Sequence, residues 1–441
     1  FYTQLTLIQI MKSLKTSIYI LVYSSMTKYF VPSHILDIVH DTNLLKVKSV
    51  VSHNSKKNFN IVSYDKDMLA NELIPVYGKY RSVIMNDKGE VVSFAPPKSL
   101  HTDTFIKSYP DKQNKYVPLL NNVSLVVCVP ADETNEDTKL TNIIAEEFVE
   151  GTMLNLFFSD GVWEVATKQT VGANVRFYKE TTDTFYSMFL DAMQHMGLTF
   201  EMFDKKNSYS FVLQHPKNRI VVPFTTPALY LIAIYKFTFS LDTNEYEISK
   251  EDIPQELAAC VKTPVRYNWT SYTELIQKYA SMNTPYECVG VMIHNVTTGE
   301  RCKIRNPVYE QVRQLRGNQP KLQYQYLSLR KEGKVAEFLG YYPEHKRAFS
   351  FYRDNLHVFT QTIFQNYISC YMKKQKPLLE YPPQYRPHMY NLHKLYINEL
   401  KEKQQYITKM SVIEYVNNLH PSQQMYWLNY NMSKSNAASS E

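Results

Sequence analysis

Lys303-x-Arg305 is the spacing with the clearest chemical potential in this chain. Side chains repeat every second residue along a strand, so the two cations share one face and can hold phosphate oxygens. Arg at the second position keeps the charge of a Lys but changes its geometry. The plainer reading, an exposed strand with two solvated cations, stays open beside it. A second group is Glu150-Gly151-Thr152, where a glycine lets backbone come close to a ligand. Other chemistries find less support. The 12 histidines show no ligand spacing, which leaves a metal cluster without a basis. The 11 glycines form neither G-x-x-x-x-G-K-S/T nor G-x-G-x-x-G, so a phosphate-cradling loop of either kind is excluded. Nothing points to a Cys-His nucleophile. Cys128, Cys260, Cys288, Cys302 and Cys370 lack C-x-x-C spacing, which argues for a reducing, cytoplasmic setting and against structural zinc or disulfides.

Residues of this kind need strands to position them, and the sequence supplies several. In 146–168, Leu154, Leu156 and Phe158 alternate, Ser159-Asp160-Gly161 has turn chemistry, and Trp163, Val165 and Thr167 alternate on the return, which predicts a β-hairpin. A second hairpin is predicted over Tyr80–Lys98 around Asp87-Lys88-Gly89. Strands are also expected at Val123–Val129, before Pro216, in the buried run Ala228–Phe239, and at Tyr286–Ile293 and Cys302–Arg305. Ala131–Leu140 reads as polar and exposed. Phe185, Met188, Phe189, Ala192 and Met193 fall at helical spacing within Thr182–Met196 and predict a packing helix; Leu275–Met282 reads as a short one.

After Pro307 the pattern turns helical, with helices expected at Glu310–Arg316, Gln323–Arg330, Ala348–Met372 and Tyr390–Leu419. A chain of 441 residues, 44% hydrophobic, has ample material for two or three cores. The expected domains are 26–305 and a helical 306–432. Residues 1–25 read as a non-native or disordered leader before Met26, and 433–441 as a frayed tail. Ile18–Val22 is too short to span a bilayer, for which about 20 apolar residues are needed, and no membrane partner is expected. The net charge of +7 is concentrated late: Glu310–Glu441 carries 18 Lys/Arg against 10 Asp/Glu. A basic, Tyr-rich segment suits a polyanion such as RNA, although a solvated helical surface accounts for the same composition.

Four stretches, taken in order, resemble the nucleotide-transfer core of ATP-dependent RNA ligases, in particular the RNA ligase 1 family of T-even bacteriophages. Arg81 and Lys98 match that family's Arg-Gly strand and Pro-Lys segment, with Ser82 in place of the glycine. Glu150-Gly151-Thr152 matches the end of its Lys-x-Asp-Gly-Ser/Thr motif, and Thr167-Lys168 the end of the return strand. Pro216 and Asn218-Arg219-Ile220-Val221 form the third match, and Glu287 with Lys303-x-Arg305 the fourth. The wording around 148–152 and 211–216 is also similar to ligase-like proteins of large DNA viruses. The resemblance implies an α+β nucleotidyltransferase core, ATP-grasp-like, with antiparallel sheets and helices, followed by an all-α domain. It further implies ATP and Mg²⁺ as cofactors, RNA ends as substrate, and a nucleotide site made of Arg81, Lys98, Glu150, Gly151, Thr152, Lys168, Glu287, Lys303 and Arg305. Two positions depart from the pattern. The AMP-accepting lysine is replaced by Phe148, which has no amine to attack an α-phosphate, and a strand glutamate is replaced by Val212. The expected function is an RNA-ligase-like protein that binds ATP and RNA ends; a non-catalytic RNA-binding or scaffold descendant is the alternative.

Overall fold

The computed structural model describes residues 27–40, 42–111, 142–177 and 182–431. The expectations for the leader, the Val123–Val129 strand, the polar stretch after it and the 433–441 tail lie outside the described residues. The chain divides into two compact units: residues up to Arg176 with Asp183–Glu310, and Phe177–Thr182 with the residues from Gln311 onward.

Fourteen strands lie among the described residues of the first unit: β1 (Lys28–Pro32), β2 (Leu45–Val51), β3 (Asn58–Tyr64), β4 (Val83–Met85), β5 (Val91–Phe94), β6 (Ile143–Glu147), β7 (Thr152–Ser159), β8 (Val162–Ala166), β9 (Asn207–Gln214), β10 (Ala228–Ser240), β11 (Glu245–Glu251), β12 (Arg266–Tyr267), β13 (Gly290–Asn295) and β14 (Arg301–Arg305). They form three sheets, ordered β1-β11-β10-β9-β7-β8, β12-β6-β13-β14 and β2-β3-β4-β5. Every pairing between these strands is antiparallel. With a helical second unit, this is the α+β architecture that the sequence led us to expect.

The six-stranded sheet is covered on both faces. Leu154, Leu156 and Val165 pack with Met188, Phe189, Ala192 and Met193 of the helix Phe185–His195. Phe157 and Ala166, on the other face, pack against Phe59, Ile61 and Ile84 of the four-stranded sheet β2–β5. All three sheets contribute to one large core, where Val62, Phe94, Ala145, Tyr235, Ile248, Val291 and Cys302 are buried together. Burial on two faces explains why β7 reads as a nearly continuous apolar run while its side chains still alternate. In the predicted packing helix, Thr184 and Ser187 close a capping box, satisfying backbone donors that a helix start leaves open. The long strand β10 is buried only through Tyr235; beyond it Lys236–Ser240 reach solvent, with Phe239 exposed.

The central hairpin forms as predicted. Asp160 (φ 49°) and Gly161 (φ 85°) both take left-handed backbone, as a tight hairpin turn with right-handed strand twist requires. Lys88, in the turn between β4 and β5, reaches Asp160 at 3.2 Å, so the two predicted hairpins meet turn to turn.

In the second unit, Tyr326, Phe338, Tyr342 and Phe349 stack into a buried aromatic group. The single helix expected at Tyr390–Leu419 is instead two, Arg386–Leu395 and Lys409–Asn418. A capping box between Thr408 and Ser411 starts the second helix afresh, and local side-chain bonds of this kind compete with helix continuation. The short helices Val335–Tyr341 and Pro421–Leu428 were not anticipated. Among the described residues no helix is long and apolar enough to cross a membrane.

Gly151 has φ +144°, and a Cβ there would stand 2.3 Å from the Leu213 carbonyl oxygen of β9. Gly151→Ala is therefore expected to lower stability by about 2 kcal/mol or more, read as a drop in the urea midpoint with unchanged slope.

Candidate phosphate-binding site

The site is best built from β14. Arg301, Lys303 and Arg305 alternate on it, while Cys302 and Ile304 between them enter the core. Arg301 is buried; its Nε donates to the Pro97 carbonyl at 2.7 Å and an Nη to the Pro96 carbonyl at 3.0 Å. The Leu100 amide donates to the Arg301 carbonyl at 2.8 Å, and Leu100 bridges in parallel to Cys302. Residues 96–100 are thereby laid beside the start of β14, and the Lys98 charge acts on Lys303. The Lys98 amide is held in turn by the Gly78 carbonyl at 2.9 Å. Sequence reading missed Arg301, although R-x-K-x-R is the same two-residue repeat extended by one step.

Arg81 supplies the other side of the cluster. An Nη lies 3.5 Å from the Pro96 carbonyl, and its charge acts on Arg301, Lys303 and Lys168. Lys168 sits with Nζ 4.7 Å above the Tyr64 ring, and its carbonyl accepts from Ser82 Oγ at 3.3 Å. The cations Arg81, Lys98, Lys168 and Lys303 thus converge around Arg81, although they come from three separate stretches.

Their electrostatics follow from crowding. Desolvation, followed by Arg305, Arg81, Arg301 and Lys98, pushes the Lys303 amine down to about 8. Its side chain is exposed, and every charge that acts on it is positive. Burial, followed by Arg81, brings Arg301 down to about 10, with Tyr235, Tyr29 and Glu146 acting in the opposite direction. Burial also lowers Lys98 and Lys168, the latter with further repulsion from Lys66 and Arg81. A concentration of positive charge with so little local compensation favours an anion.

Arg305 is engaged differently. Its guanidinium pairs with Glu310 and lies 5.5 Å from the centre of the Phe148 ring, while its Nε is buried without a hydrogen-bond partner among the described residues. The Phe148 amide reaches the Gly290 carbonyl at 3.4 Å, and Gly290 is the register partner of Arg305. Position 148 therefore stands next to Arg305, filled by a half-buried ring.

The acidic matches have other surroundings. Glu150 is buried, and its carboxylate accepts from the Val221 amide at 2.6 Å and the Val222 amide at 3.1 and 3.2 Å. Its carbonyl accepts from Gln214 Nε2 at 3.0 Å, and Thr152 Oγ1 accepts from Asn218 Nδ2 at 2.8 Å. Glu150-Gly151-Thr152 and Asn218-Arg219-Ile220-Val221, two matched stretches far apart in the chain, thus lock together. The close approach that Gly151 permits is to β9 backbone, with Val212 beside it, where a ligand was expected. Glu287 is exposed in the turn before β13 and forms no ion pair among the described residues. No group of three or more His, Cys, Asp or Glu among the described residues could hold a metal ion.

No protein-family model matches the chain. One curated relative, the immediate-early protein ICP-46 homolog of Invertebrate iridescent virus 6, is 25% identical over 206 residues, covering 45% of this chain and 37% of its own length. The match thus spans little more than a third of that protein. Among solved structures, an archaeal ATP-dependent RNA ligase (form 1) is similar over 73% of this chain and 75% of its own, at 11% identity and a TM-score of 0.34. A mutant of the Naegleria gruberi RNA ligase with ATP and Mn is similar over 62% and 98%, at 10% identity and a TM-score of 0.29. The same ligase with PPi covers 61% and 98%, at 10% and 0.27.

Glu150→Gln replaces one acceptor oxygen with an amide donor facing backbone N–H groups. It is expected to cost about 1–3 kcal/mol of stability, measured by urea unfolding, with residues 214–222 gaining amide exchange ahead of the rest of β9.

Proposed function

We propose that the first unit is an RNA-ligase-like nucleotidyltransferase domain that binds ATP and phosphate-bearing RNA ends and forms no stable AMP adduct. The observation that carries this reading is the convergence of Arg81, Lys98, Lys168 and Lys303 around one place, where every charge that acts on Lys303 is positive. A triphosphate, bearing about four negative charges near neutral pH, would relieve that repulsion, and such fixed cations stabilise a transferring phosphate. Arg305 is bound to Glu310 and Phe148, so its part is to position the Phe148 ring that fills the place of the family lysine.

The residues fit the nucleotide better than they fit a protein-held metal. Glu150 already receives backbone amides on both carboxylate oxygens. Mg²⁺ commonly keeps its waters and binds substrate phosphates with only one or two carboxylates, so it would enter with ATP, and Glu287 is the matched acid left open to it. When bound, the ion would supply charge neutralisation to the phosphates.

A second reading, retained ligation, is favoured by one feature. The Lys303 amine, pushed down to about 8, is in part neutral just above pH 7 and could act as a substitute nucleophile. ATP with a tagged α-phosphate, Mg²⁺ and intact-mass measurement decide between the two. The expected result is ATP binding that weakens in Lys303→Ala and no added AMP mass; an adduct on Lys303, lost in that variant, would restore the ligase. Absence of both adduct and ATP binding overturns the nucleotide reading.

A pH titration gives an independent check. Phosphate binding favours protonated Lys303, whose amine loses its proton in the free protein as pH rises through about 8. ATP affinity should therefore fall from about pH 8 upward, by up to about tenfold per pH unit, and Lys303→Arg should flatten that fall.

A further inference from the structure

The second unit contains a row of aromatic rings that leads from its interior to solvent. Tyr367 is buried, and Tyr371 follows it one helical turn later at 5.2 Å. Tyr371 stacks on His393 at 3.8 Å and 11°, His393 on Tyr396 at 5.9 Å and 26°, and Tyr396 on Tyr406 at 6.2 Å and 16°. Tyr406, the last ring, is 65% exposed and has no ring partner other than Tyr396 among the described residues.

Two wide turns set this alignment. Lys346–Tyr367 and Arg386–Leu395 each run into a π-helical turn, Ile368–Met372 and Tyr396–Leu400. These are closed by amides of Lys373 and Lys401 donating to Ile368 and Tyr396 carbonyls, both at 2.8 Å. Such turns are rare and frequently mark functional sites. Burial holds the His393 imidazole below its ordinary value, so it stacks as a neutral ring at pH 7.

Exposed lysines follow the rings along the chain. Lys373, Lys374 and Lys376 follow Tyr371, Lys394 follows His393, Lys401 and Lys403 follow Tyr396, and Lys409 follows Tyr406. None of these lysines forms an ion pair among the described residues. Between Tyr371 and Lys409 the chain carries eight Lys/Arg and three Asp/Glu.

We infer that the Tyr371-His393-Tyr396-Tyr406 row is a base-stacking platform for single-stranded RNA, with the surrounding lysines holding its phosphates. Parallel rings ending in a free face suit the flat face of an unpaired base, and flanking cations suit its backbone. Exposed Met372, Ile397 and Met410 add apolar surface, but a purely apolar partner has no use for seven lysines that form no ion pair among the described residues. The inference rests on the proposed function only for the choice of RNA over DNA.

The test uses the full chain and a short fluorescent single-stranded RNA with a 5′-hydroxyl, its duplex, and anisotropy at several salt concentrations. The single strand should bind at least about tenfold more tightly than the duplex. Tyr406→Ala, a change at an exposed ring, should weaken it about 5- to 100-fold, and Tyr406→Trp should retain it. Lys401→Gln with Lys403→Gln should reduce the salt slope by about 1.4. Equal binding of single strand and duplex, or full affinity in Tyr406→Ala, overturns the platform. Lys303→Ala separates the two proposals: it should impair ATP binding and leave this RNA affinity unchanged. Loss of ATP binding in the unmodified protein, with the Tyr406 effect intact, would remove the nucleotide reading alone.

Discussion

The guanidinium of Arg301 is the interaction on which the first unit turns. Bringing a charge into the interior is costly unless its donors are satisfied, and here Pro96 and Pro97 carbonyls meet two of them. Those carbonyls come from the segment after β5, whereas Arg301 begins β14, so one side chain joins two of the three sheets. Around it lie Tyr29 and Tyr235 of the third sheet and Glu146 of β6, all of which favour the charged form. The next alternate residue, Lys303, feels the charges of Arg301 and of Lys98 in the segment after β5. Structure and electrostatic crowding thus share a cause.

A second constraint is the buried Glu150 carboxylate. A loop running from Gln214 to Val222 would leave backbone amides without partners, and interior amides are costly when unpaired. Glu150 receives two of them, Thr152 fixes Asn218, and Gly151 lets β7 and β9 close upon each other. The acid in this motif is therefore part of the wall that stands beside the cations.

Phe148 gives the site its particular character. A lysine there would add one more charge to a crowded group; the ring instead offers its face to Arg305, an attraction of about 0.5–2 kcal/mol in general. Paired with Glu310 as well, Arg305 is restrained. On the proposed reading, charge suited to phosphate stands beside a position that offers no amine, a combination that would separate holding a nucleotide from reacting with it.

Local patterns in the sequence determined a good deal. Alternation and Asp-Gly or Lys-Gly turns were enough to place both hairpins, helical spacing was enough for Phe185–His195, and the x-Lys-x-Arg repeat put the cations of β14 on one face. Each depends on neighbours within a few residues, where backbone periodicity governs. Tertiary structure alone decided the partners. The amide that meets Glu150 is 71 residues away, and the carbonyls that meet Arg301 are more than 200 away. Helix boundaries between Arg386 and Asn418 likewise turned on a cap and a wide turn that the apolar pattern does not register. Burial of a charge and its pairing depend on which distant backbone arrives beside it, and no spacing along the chain carries that information.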